Sequence, residues 1–285
     1  MPMTSDSVFT YTFLLCIVAI TCAVPLYGLI RKNAPDLGWN RHGKVSTEFL
    51  NKADLLGIGL FLLIYGAYLL ASQAPPELNP DGTVREIKIT PLILVARIIS
   101  QVVPGIIVMA LLMFRNMNFV EFFGLRWKNA RYLVVIAPMG VIITYLFFFL
   151  LESSGYMDFL KNAFGDDSKE QETVRVYKEA SATAIRILIA VSVCVVAPVI
   201  EEVVFRGYIY ASAKRFTDRF FAAAFSSLFF AVVHFNINAL LPLFLLALIL
   251  ALAYELTGSL WAPISIHALF NASNLAMLEM QIPAN

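Results

Sequence analysis

Six residues late in this chain have types that do chemistry and lie where such types are costly. Glu201, Glu202 and Arg206 fall in one apolar run, His234 in the next, and His267 and Asn271 in the last. An ionisable side chain inside a membrane span is expensive and marks a functional site by default. Glu202 and Arg206 are spaced i,i+4, so on a helix they meet as an ion pair. Glu201 lies about 100° round that helix and has no cation near it in sequence. A carboxylate outside an ion pair is the one free to exchange a proton, which makes Glu201 the candidate general base. His267 and Asn271, again i,i+4, share a face and can point into a bundle with His234. The plain alternative is a structural cluster of buried, mutually satisfied polar residues.

Convergence depends on depth. If the helix bearing Glu201 stopped at Arg206, Glu201 would sit at the membrane surface and never reach His234. If it runs on to Ala213, Glu201 lies roughly 18 Å in, His234 roughly 22 Å and His267 roughly 14 Å, at about 1.5 Å per residue. This reading places Arg206 inside the membrane, where it needs Glu202.

The elements that position these residues must be membrane helices. Of 285 residues, 59% are hydrophobic and 14% charged, and the mean hydropathy is +0.76. An ordinary soluble domain is about 25% charged. The apolar runs are long and continuous, unlike the short alternating segments of a membrane barrel. Eight are visible, at roughly Phe9–Ile30, Leu55–Ser72, Pro91–Phe114, Tyr132–Leu151, Ile187–Ala213, Phe220–Asn238, Ala239–Tyr254 and Ser259–Leu278. The fold class is all-α: a polytopic membrane protein of about eight transmembrane helices enclosing an intramembrane cavity. Residues 1–186 form an N-terminal part of four helices and a long loop, and 187–285 a core carrying the polar residues, in one integrated membrane domain. The first run lacks a preceding Lys or Arg, so it does not read as a signal peptide. Lys and Arg concentrate in the loops after runs one, three and five. That distribution puts both termini outside and those loops in the cytoplasm.

Other features are weaker. Arg97 and Gln101, at i,i+4, line the same cavity or satisfy each other. Cys16, Cys22 and Cys194 lie in apolar runs and read as small hydrophobes. His42 reads as a solvated surface residue. The stretch Asn116–Arg131 mixes Phe, Leu and Trp with Arg and Lys and reads as an interfacial helix or an aromatic-belt connector. The loop Glu152–Arg186, with Gly165–Asp166–Asp167, reads as a solvated connector. A net charge of +1 gives no reason to expect a nucleic-acid partner; the bilayer is the evident one.

At the chemical residues the chain resembles the CPBP family: type II CAAX prenyl endopeptidases and related bacteriocin-processing proteins. Glu201, Glu202 and Arg206 match its Glu-Glu-x-x-x-Arg motif, with Ala197, Pro198, Phe205 and Gly207 as fitting flanks. Phe230 and His234 match Phe-x-x-x-His. His267 and Asn271 match His-x-x-x-Asn, after the run Gly258–Pro263. The resemblance covers roughly residues 187–278. It implies an intramembrane endopeptidase in which Glu201, helped by His234, activates a water, His267 and Asn271 stabilise the oxyanion, and Glu202 and Arg206 hold the geometry. It also implies a peptide or lipidated-protein substrate of CAAX type and no cofactor, in a cavity open to the cytoplasm; the brevity of the loops points to a bacterial plasma membrane, and an endoplasmic-reticulum membrane fits the same physics. Three alternatives stay open. Glu201, His234 and His267 could bind zinc with an open fourth position, although there is no His-Glu-x-x-His helix. The fold could serve as a non-catalytic immunity or regulatory protein, or as a transporter. Oligomeric state is not readable.

Overall fold

The computed structural model describes residues 10–11, 14, 17–18, 25–30, 32–33, 43–72, 91–164, 176–178, 180 and 182–281. Most of the first apolar run, with Cys16 and Cys22, lies outside them, as do His42 and Gly165–Asp167. The described residues form helices and no strands. In chain order the helices are α1 (Ala53–Ser72), α2 (Pro91–Phe114), α3 (Leu133–Ser153), α4 (Tyr156–Phe164), α5 (Thr183–Phe216), α6 (Arg219–Val232), α7 (Ile237–Thr257) and α8 (Trp261–Gln281). Five are long and apolar enough to cross a membrane: α1, α2, α3, α5 and α7. The α8 helix is as long as α7, at 21 residues, but the polar residues of the site lie along it. The α6 helix has only 14 residues. The chain is an integral, multi-pass helical membrane protein.

Local chemistry sets the ends. Asn51 accepts a hydrogen bond from Ala53 N at 2.9 Å and its own N–H donates to Asp54 at 2.6 Å, a reciprocal cap on α1. Asp218 caps α6 through Phe220 N and Phe221 N. Asn236 caps α7, and Gly258 ends it in the left-handed region at φ 73°. The long helices run between two ends of the bundle. One end, here the basic end, carries Lys44, Lys52, Arg115, Arg126, Lys128, Arg131, Lys214, Arg215 and Arg219. The opposite end carries the last residues of α3 and α8, the start of α5 and the α6–α7 turn.

Two sequence expectations change here. The stretch Asn116–Arg131 holds one helical turn, Phe119–Phe122, rather than an interfacial helix. Its Phe122 and Phe123 are buried. Phe123 lies so close to Gly207 that a Cβ there would stand 2.6 Å from its ring. Leu260 N donates to Phe123 O at 3.0 Å and Trp261 Nε1 to Leu125 O at 3.1 Å. The segment is a wedge docked on the start of α8. The end of the long loop is not simply solvated either: Val176, Tyr177 and Ala180 are buried. Tyr177 donates to Glu279 at 2.8 Å, and Arg186 binds Glu279 at 3.1 Å and Ala180 O at 2.9 Å. Burial and the neighbouring carboxylate push the Tyr177 hydroxyl up, so it stays a donor.

The wedge turns at Gly124, whose φ is 63° and whose missing Cβ would stand 1.9 Å from Gly258 O. Gly124→Ala therefore meets both left-handed strain, about 1–2 kcal/mol, and a backbone clash. Thermal unfolding in detergent should show a clearly lowered midpoint; a midpoint equal to wild type would refute this packing.

Candidate active site

The α5 helix is irregular on both sides of its two glutamates. Ser192–Val196 and Val203–Tyr210 are π-helical, and Ala197–Glu202 between them is α-helical. π-Turns are rare and recur at functional sites. The first has a local cause. Pro198 has no N–H to give and its ring crowds the preceding turn. Ala197 N bonds back to Ser192 O, and the donor that would next serve Val193 O in this widened ladder is the proline nitrogen. Asn271 Nδ2 fills the gap, donating to Val193 O at 2.9 Å. A buried carbonyl without a donor costs about 1–3 kcal/mol, so one Asn271 N–H is committed to the backbone. The second remains available to the cavity.

Glu202 and Arg206 are wholly buried and paired at 2.8 Å, as their spacing predicts. The same Glu202 oxygen, Oε1, also binds His267 Nδ1 at 2.9 Å. Arg206 further donates to Ala247 O on α7 at 3.2 Å and lies 4.5 Å from the centre of the Phe230 ring. With Nδ1–H given to the carboxylate, His267 turns Nε2 toward Glu201, whose Oε2 is 3.8 Å away. Glu201 is the accessible member of the pair: its side chain is 23% exposed, against 0% for Glu202.

His234 is not inside a helix, as the sixth apolar run suggested. The α6 helix stops at Val232, and His234 occupies the turn before α7. Phe235 follows with φ 50°. Non-helical backbone at membrane depth is tolerated where it lines a cavity. His234 Nδ1 lies 2.6 Å from Phe230 O, so Nδ1–H donates and Nε2 keeps its lone pair for the cavity. Phe230 thus orients both imidazoles: its carbonyl holds His234, and its ring lies 4.6 Å from that of His234 and 5.8 Å from that of His267. Sequence reasoning quoted Phe230 only as a motif letter.

Glu201, His234, His267 and Asn271 all line one cavity of about 610 Å³, with apolar walls from α5, α7 and α8. Gln101 lines it too and accepts a hydrogen bond from Ser192 Oγ at 3.0 Å; Arg97 does not line it. Glu201, His234 and Gln101 also border a second cavity of about 400 Å³ between α1 and α2. Among the described residues no three His, Cys, Asp or Glu side chains converge to hold a metal ion, and His267 Nδ1 is already taken by Glu202. The large cavity reaches Tyr177, Leu278 and Gln281, at the end opposite the basic one. An opening toward the basic end was expected; there Phe205, Tyr208, Leu250, Tyr254 and Leu260 are buried and fill the space.

The fold and this site define a class: a polytopic helical membrane protein with two glutamates, one committed and one accessible, beside two oriented imidazoles. The family model described as type II CAAX prenyl endopeptidase Rce1-like matches residues 183–273, the segment that contains every one of these groups. Over this core, about a third of the chain, the sequence is similar to the CPBP family. The Bacillus subtilis (strain 168) protein named "Putative membrane peptidase YdiL" is 29% identical over 126 residues, 44% of this chain and 50% of that relative. The chain thus spans about half the length of the curated relative it matches. No solved structure matches it.

The Asn271–Val193 bond gives a test. Asn271→Ala should destabilise the protein by about 1–3 kcal/mol, the cost of an orphaned carbonyl. In a Pro198→Ala background, which restores a backbone donor, the same change should cost much less. Equal costs in the two backgrounds, measured by denaturant unfolding in micelles, would break the link between the proline and the asparagine.

Proposed function

We propose that the protein is a glutamate-dependent intramembrane endopeptidase. The observation that carries this reading is the division of labour between adjacent carboxylates. Glu202 is sealed in a bond network with Arg206 and His267, while Glu201 faces the cavity beside two imidazoles. Glu201 takes a proton from a water, with the His234 Nε2 lone pair as second acceptor. The water oxygen bonds to the scissile carbonyl carbon. His267 Nε2, when protonated, and the second Asn271 N–H donate to the developing oxyanion. Collapse breaks the C–N bond, and the proton held by Glu201 passes to the leaving amine, so the base returns to its starting state. Glu202 and Arg206 are positioning residues. The zinc alternative needs a third ligand that converges on Glu201 and His267, and the described residues offer none in place.

The substrate is a membrane-associated or lipidated protein segment, and the membrane a bacterial plasma membrane. The family description and the relative's name both point to peptidases. A non-catalytic immunity or regulatory role is the competing reading, and the test separates the two. Membranes carrying wild type or Glu201→Gln at equal expression should differ in new peptide termini, present only with wild type. Cleavage should survive chelators. Matching termini with a persisting wild-type phenotype would mean that the fold binds and does not cut; chelator-sensitive cleavage restored by zinc would mean that the base reading is wrong.

Arg206→Met should act through stability instead. It leaves Glu202 as an unpaired buried charge, a loss of about 3–5 kcal/mol, seen as reduced expression or a lowered unfolding midpoint. A fully stable variant would refute the pairing as the site's anchor.

A further inference from the structure

We infer that the substrate segment is an uncharged, extended peptide that enters from the non-cytoplasmic side of the membrane; this rests on the peptidase reading above. The first observation is the path. From its mouth to Glu201 the cavity is lined by apolar side chains and by the amides Gln101, Asn271, Asn274 and Gln281. Apart from Glu201, the imidazoles and Tyr177, no described residue lining this path ionises. His267, Asn271, Asn274, Leu278 and Gln281 follow one another at spacings of four, three, four and three, so they form one stripe along α8 from the site to the mouth. Asn274 Oδ1 accepts from Tyr145 at 2.8 Å, which holds the amide and leaves its N–H groups as donors. Peptide carbonyls need such donors where water is scarce. A charged segment finds no partner on this path; an apolar one with its backbone bonded to the stripe does.

The second observation is direction. The mouth, at Tyr177, Leu278 and Gln281, is at the end opposite Arg115, Arg126, Lys128, Arg131, Lys214 and Arg215. Short loops rich in Lys and Arg stay in the cytoplasm. The short connection at the mouth end, 233–236, has neither residue; the longer stretches 73–90 and 154–182 carry Arg85, Lys88, Lys161, Lys169, Arg175 and Lys178 interspersed with acids and weigh less in this rule, and Arg186 is bound to Glu279. The basic end is the cytoplasmic face and the mouth opens on the other. A cytoplasmic lipidated tail would meet the closed end. A segment of an exported or membrane-anchored protein, lying in or against the outer leaflet, meets the open one.

The test starts with single cysteines added to the full chain: Gln281→Cys and Met277→Cys at the mouth, and Lys128→Cys at the basic end. Sealed spheroplasts are treated with a membrane-impermeant maleimide, with the unmodified protein as the blank. Both mouth positions should label in intact spheroplasts, and position 128 only after permeabilisation. The reverse pattern overturns the sidedness. Labelling needs no activity, so it is repeated in the Glu201→Gln protein; the same pattern there, with cleavage lost, separates sidedness from catalysis. The wild-type-dependent termini then read the substrate class. They should fall in non-cytoplasmic segments with uncharged flanks. Termini in cytoplasmic tails, or flanked by Lys, Arg, Asp or Glu, would overturn it.

Discussion

One carboxylate oxygen, Glu202 Oε1, accepts from both Arg206 and His267, and the site is arranged around it. Glu202 and Arg206 are each removed from water. A buried ion pair recovers its desolvation only when its geometry is good and its spare donors are used. Arg206 therefore also reaches Ala247 O on α7 and the face of the Phe230 ring on α6, while Glu202 reaches His267 on α8. Four helices are fixed against each other by their contacts with these two charges, while Glu202 Oε2 and Arg206 Nε keep no hydrogen-bond partner among the described residues. The His267 tautomer follows, because the nitrogen spent on Glu202 decides which one is presented to Glu201.

Backbone irregularity does the finer placing. A straight α-helix through Pro198 would leave one carbonyl without a donor; the π-turn moves that vacancy to Val193, and Asn271 from α8 fills it. The asparagine is therefore held by the defect, and the defect is tolerated because of the asparagine. His234 is placed in a similar way. By stopping at Val232, α6 leaves the imidazole on a turn, where the Phe230 carbonyl 2.6 Å away holds it. At Val193 and at His234, which both line the cavity, secondary structure departs from regularity and each departure has its own polar partner.

Much of this was legible in the sequence because the signals were about period and cost. The i,i+4 spacing of Glu202 and Arg206 gave their pairing, and the intramembrane placement of Glu201, His234 and His267 marked a common site. The continuous α5 helix follows from requiring that they meet at one depth. What was not legible depended on tertiary partners. No local rule says that Glu202 would take His267 as well as Arg206, or that half of Asn271's donor capacity would go to a carbonyl 78 residues away. The wedge at Phe119–Phe123 read as interfacial because its apolar residues resemble a lipid-facing set; they are buried instead against Gly207 and Leu260. The count of eight crossings mixes kinds of segment: α6 is short, and α8 is made polar by the site itself.

The two ends of the bundle differ in a way that links stability to access. At the basic end, cross-chain polar contacts tie the parts together: Lys214 to Glu255 at 2.7 Å and to Val45 O at 2.9 Å, Arg115 to Asp54 at 2.6 Å, and Tyr210 to Glu255. Beneath them the aromatic core is filled. At the other end the space between α5, α7 and α8 stays open down to Glu201. Locally opening regions are those with few buried apolar contacts, and binding surfaces are drawn from them. The hydrolytic role proposed for the site needs that asymmetry: its oriented groups must not shift when a substrate enters, so the rigid clamp lies below them and the opening above. The Glu202–Arg206 pair sits at the boundary, fixed from below by the packed core and presenting His267 upward, which is why adjacent residues of one helix can hold opposite duties.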